Sequence, residues 1–169
     1  MFRVKHNYGF NSHGCRNLIV NKAINDWVML IDVDREFYDN GKDLQKIYSY
    51  ELKPDILYKF VVHVFNFGNR AHRSVNDFLV HKDLFNMVGG YDEELIGIRT
   101  GDRQLFDQMS NFCRINTLED VNLMYTRAST KADRNEYHIS ANQEAIIESR
   151  IIKPDPNKKI LTFDWEQIY

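Results

Sequence analysis

Asp32 and Asp34 are the residues whose type and spacing most directly suggest chemistry. They close the stretch Asp26-Trp27-Val28-Met29-Leu30-Ile31-Asp32-Val33-Asp34, an apolar run that ends in two carboxylates one residue apart. In an extended segment such side chains point to the same face. Two hard oxygen ligands on one face suit Mg²⁺ or Mn²⁺, which bind through one or two carboxylates together with substrate phosphates. The plainer alternative is a strand-end turn with solvated carboxylates.

The elements that must position these groups follow from the apolar pattern. A short apolar run bounded by polar residues reads as a buried strand, and ligands in α/β folds bind beyond the carboxyl ends of such strands. Ahead of it, Leu18, Ile19, Ala23 and Ile24 recur at helical spacing. Residues 2–8 form a candidate strand, and residues 35–41 a loop. Leu44, Ile47 and Tyr48 suggest a short helix. Ile56 to Phe67 is rich in β-branched and aromatic residues, as strands are, and Val75 to Val80 is a further strand. Lys82 to Val88 reads as one or two helical turns stopped by Gly89-Gly90. Asp102 opens a helix with Leu105, Phe106, Met109 and Phe112 on one side. Ile115–Leu118 and Val121–Tyr125 read as two short strands. Ser140 and Gln143 fit a capping box for a later helix. The tail from Lys159 is apolar enough to dock as a strand or extended arm. Alternating strands and helices predict an α/β domain with a mixed sheet. We expect a single domain over 1–169, with a core at 1–126 and a carboxy-terminal helix and extended tail at 127–169.

Composition narrows the function classes. A net charge of −2 gives no global electrostatic case for nucleic acid or an anionic membrane. No apolar run reaches the ~18 residues of a membrane-spanning helix. The amino terminus lacks the apolar core of a signal peptide. Cys15 and Cys113 have neither zinc-like spacing nor a disulfide-rich context. A reducing cytoplasm is the simplest expected setting.

Four segments form an ordered series: Gly14-Cys15-Arg16-Asn17-Leu18, the run ending in Asp32-Val33-Asp34, Val88-Gly89-Gly90-Tyr91-Asp92-Glu93, and Gly101-Asp102. The series resembles family 2-like glycosyltransferases of the GT-A fold over about residues 9–125. Short members of this look occur in tailed-phage genomes, and the tail resembles theirs. For a phage-encoded chain the host cytoplasm would be the setting. The resemblance implies a GT-A-like mixed sheet flanked by helices. The family's first nucleotide-binding strands have no counterpart here, and its acidic pair reads Gly101-Asp102.

The resemblance also implies roles. Asp34 would hold Mn²⁺ or Mg²⁺, and Asp32 would meet the ribose or the metal. His138 would complete the metal sphere. Asp102 would be the general base, with the helix start favouring its anionic form and so a weak base. Arg16 and Asn17 would line the nucleotide side, with a surface ion pair and a satisfied loop as their plainer readings. Gly90, Tyr91 and Asp92 would line the acceptor side. Gly89-Gly90 would equally serve as a helix C-cap, and Tyr91 as a half-buried aromatic.

The implied reaction moves a sugar from a nucleotide-diphosphate donor to a hydroxyl acceptor, with inversion. The acceptor would be a glycan or another hydroxyl compound, with nucleic acid among the candidates. One alternative is a degenerate GT-A domain acting as a binding or interaction module. A metal-dependent phosphate-ester hydrolase is another. A missing first strand would leave a sheet edge open, and open edges invite pairing. A homodimer or a partner chain along that edge is therefore expected.

Overall fold

The computed structural model describes residues 1–5, 11–64, 70–95, 101–125 and 160–168. His138 and the capping box at Ser140 lie outside the described residues.

A five-stranded mixed sheet carries the chain. Its strands are β2 (Trp27–Leu30), β3 (Arg35–Phe37), β4 (Ile56–Val64), β5 (Arg70–His81) and β6 (Arg114–Tyr125), in spatial order β2-β5-β4-β6-β3. β4 and β6 run parallel, while β5 is antiparallel to both β2 and β4. β2 stands at one margin, and among the described residues no strand lies on its outer side. A separate antiparallel pair joins β1 (Phe2–Val4) to β7 (Trp165–Gln167), so the tail does dock as a strand.

Period-two alternation explains how β4 divides two cores. Ile56, Tyr58, Phe60 and Val62 enter one cluster with Leu118, Val121, Leu123 and Ile47. Leu57 enters the other, with Val28, Leu30, Phe78 and Val80. That second cluster is roofed by Val20 from α1 (Ser12–Lys22), Leu84 and Phe85 from α3 (Lys82–Met87), and Leu105 and Met109 from α4 (Gly101–Ser110). The opposite face takes its cover from α2 (Lys42–Lys46) and the 3₁₀ turn Ile47–Ser49. Asp43 on α2 accepts from the backbone and side-chain nitrogens of Asn122, tying this cover to β6.

Several local expectations need correction. β6 is one strand, because a register shift opposite Phe60 and Val61 absorbs the polar Glu119-Asp120 pair. Residues 35–37, read as loop, pair with β6 as β3. Ile24 lies beyond α1 and is exposed, since the helix ends at Lys22 and Ala23 turns extended. Phe112 is also largely exposed.

Candidate functional site

Arg16 is the centre of a buried polar cluster where the carboxyl end of β2 meets α1, β5 and α4. It lies on the second turn of α1, a helix whose Asn11 cap accepts from the Gly14 backbone at 3.0 Å. One guanidinium nitrogen donates to Asp32 Oδ1 at 2.6 Å. The other donates to Asp102 Oδ1 at 2.8 Å, the Tyr91 hydroxyl at 2.7 Å and the Asn76 carbonyl at 3.2 Å. Burial works against the charge of Arg16, but Tyr91, Asp102 and Asp32 outweigh it and hold its pKa above the ordinary value.

The two carboxylates after β2 do not lie in one extended segment. β2 ends at Leu30, and Arg35 N donates to Asp32 O at 3.0 Å to close a turn. Val33 at its tip is fully exposed. Asp32 takes Arg16 on one oxygen and Asn76 Nδ2 on the other, at 3.1 Å. Asp34 takes Arg35 Nη1 at 2.6 Å. Both side chains keep about a quarter of their surface exposed, at 28% and 26%.

Two residues of this cluster went unrecognised in the sequence. Asp77, wholly buried on β5, accepts the Asp32 backbone N–H at 2.9 Å and pairs with Arg35 Nε at 3.4 Å. An acid inside the run Val75-Asn76-Asp77-Phe78-Leu79-Val80 was the available signal, since a buried carboxylate needs partners. Arg35, only 10% exposed, also lies over the Tyr125 ring at 4.3 Å.

Asp102 is set by Arg16 and by the Tyr91 hydroxyl, which donates to it at 3.0 Å. Burial raises its pKa, and the Arg16 charge only partly offsets this. Asp102 therefore holds a proton more tightly than an ordinary carboxylate. Tyr91 is fully buried rather than half-buried, and burial raises its pKa too.

Asn17 braces this arrangement. Its Oδ1 accepts from Tyr91 N at 2.9 Å, and its Nδ2 donates to Tyr91 O at 3.0 Å and Glu93 Oε1 at 2.9 Å. It is wholly enclosed. Gly90 ends α3 with φ +63°, and its N–H bonds to Phe85 O at 3.0 Å. A Cβ there would stand 2.6 Å from Asn17 Oδ1. Asp92 is buried beside Tyr91.

His13 packs directly over Gly101. Its ring, wholly buried, stacks on Tyr91 with centroids 5.5 Å apart. A Cβ at position 101 would stand 2.5 Å from His13 Cε1 and 2.6 Å from Cδ2. The imidazole fills the space that any side chain at position 101 would need. Burial, with the nearby Arg16 charge, lowers the His13 pKa to about 4.

The donor set fits a small hard cation in part. Asp32 and Asp34 supply carboxylates of the right chemistry, and Mg²⁺ asks the protein for only one or two, with phosphates and water as further ligands. No group of three His, Cys, Asp or Glu suited to a metal occurs among the described residues. No helix among them is long and apolar enough to cross a membrane. Compared with family models and with curated proteins, the chain matches none.

Proposed function

We propose that this chain is a divalent-cation-dependent, glycosyltransferase-like protein. It would take a nucleotide-diphosphate sugar and transfer the sugar, with inversion, to a hydroxyl acceptor. One observation carries the reading: Arg16 ties Asp32, Tyr91 and Asp102 together, so the four motif segments meet at one point.

In this reading Asp32 and Asp34 are the residues that would hold Mn²⁺ or Mg²⁺. When bound, the cation supplies Lewis-acid stabilisation to the departing diphosphate. Arg16 and Arg35 are the groups at hand to meet phosphate oxygens. The acceptor oxygen forms a bond to the anomeric carbon as the bond from that carbon to the diphosphate breaks. The hydroxyl proton passes to Asp102, whose raised pKa suits a base. Asp102 must be ionised to accept it, so turnover rises with pH through that raised pKa. The acceptor class extends from glycans to other hydroxyl compounds, nucleic acid among them. A partner strand along β2, from a second copy or another chain, belongs to the same reading.

The test is release of nucleoside diphosphate from uridine- and guanosine-diphosphate sugars with Mn²⁺ and candidate acceptors. Release that is lost in Asp102→Asn supports transfer. Nucleotide binding with no release from any sugar favours the second reading, a non-catalytic binding module. That alternative draws support from the Arg16 contact on Asp102 and from the His13 ring where a second acid would sit.

A further inference from the structure

The carboxy-terminal segment docks directly on the bracing of this site. Leu161 N donates to Glu93 Oε1 at 2.7 Å, and Thr162 N and Oγ1 both donate to Oε2 at 2.8 Å. Asn17 Nδ2 supplies the fourth bond to that carboxylate. Glu93 is 7% exposed, so these bonds replace its water. The same Asn17 grips the Tyr91 backbone from both sides, and the Tyr91 hydroxyl lies between Arg16 and Asp102. Hydrogen bonds therefore lead from Thr162 to the Tyr91 backbone, and the Tyr91 side chain carries the connection on to Arg16.

Packing fixes the same segment. Phe163 is buried against Gly14, two residues before Arg16, where a Cβ would stand 2.5 Å from the Phe163 ring. Leu161 holds φ +61°, a left-handed conformation uncommon for a residue with a side chain. Its N–H and the next one, on Thr162, both bond to the Glu93 carboxylate. The segment then runs into β7, and Lys5 N donates to Asp164 O at 2.9 Å.

We infer that Glu93 and Thr162 are positioning residues. By clamping residues 160–163 onto Asn17 they set the Tyr91 hydroxyl, and through it Arg16, against Asp102. Docking of this segment and occupancy of the site are then coupled, and coupling of this kind is reciprocal. The nature of the occupant rests on the proposed function, whereas the clamp does not.

Thr162→Val removes the hydroxyl donor and keeps the shape, and Thr162→Ser keeps the hydroxyl. Two readouts are followed: the guanidinium N–H resonances of Arg16, and affinity for uridine diphosphate with Mn²⁺. Thr162→Val is expected to broaden the Arg16 resonances and to weaken binding by about five-fold, the low end of ordinary coupling. Thr162→Ser should preserve both. Arg16 resonances unchanged in Thr162→Val overturn the inference. Should the wild-type chain bind neither uridine nor guanosine diphosphate, the proposed function falls, and the Arg16 resonances of the two variants still decide the clamp.

Discussion

Acid should weaken this fold through His13, earlier than carboxylate titration would. The imidazole is enclosed between Tyr91 and Gly101, and its pKa falls from 6.5 to about 4. Arg16 and Asp92 are the charged groups that act on it, and burial is the larger cause. Between those two values the unfolded chain binds a proton that the folded chain refuses. Stability therefore rises with pH across this window and is lost as pH falls. At about 1.4 kcal/mol per pH unit, the full loss approaches about 3 kcal/mol. Between about pH 7 and about pH 5 the same relation gives about 2 kcal/mol. Urea denaturation of the wild type and of His13→Gln at both values measures it. Asp102 acts in the opposite direction, since its raised pKa favours the fold at lower pH. It does so in both proteins, so the difference between them isolates His13. Equal losses in wild type and variant would show that His13 is not the group responsible.

Other perturbations follow from the same contacts. Arg16→Met strands Asp102 and partly exposed Asp32, so chemical denaturation should register a loss of about 3 kcal/mol. Gly101→Ala drives a methyl group into the His13 ring, costing about 1–3 kcal/mol. A double-mutant cycle with His13→Ala should recover much of that, and strict additivity would contradict the packing described. Asp77→Asn keeps an acceptor for the Asp32 N–H but turns an amide toward Arg35, and its unfolding midpoint should fall by an amount equivalent to about 2–3 kcal/mol.

The fold was legible wherever local pattern determines structure. The apolar run Trp27–Leu30 and the β-branched run from Ile56 are strands because burial on both faces demands such residues. Glu119-Asp120 hid the continuity of β6, because a bulge lets polar residues turn outward without ending a strand. The site was legible as residue types and not as an arrangement. Arg16 reaches partners 16, 75 and 86 residues away, and no local period encodes such contacts. Asp77 left a trace as a lone acid in an apolar strand. His13 left none, since its role comes from the space that Gly101 vacates. The Glu93 clamp joins positions 68 and 69 residues apart, and only the folded chain brings them together.

We propose that Asp32 and Asp34 form a cation-dependent diphosphate site. Calorimetric titration with uridine and guanosine diphosphates, with and without Mn²⁺, beside Asp34→Ala, tests it most directly. Binding is expected to require Mn²⁺ and to disappear in the folded variant. Binding by neither nucleotide, or binding indifferent to both Mn²⁺ and Asp34, would contradict it.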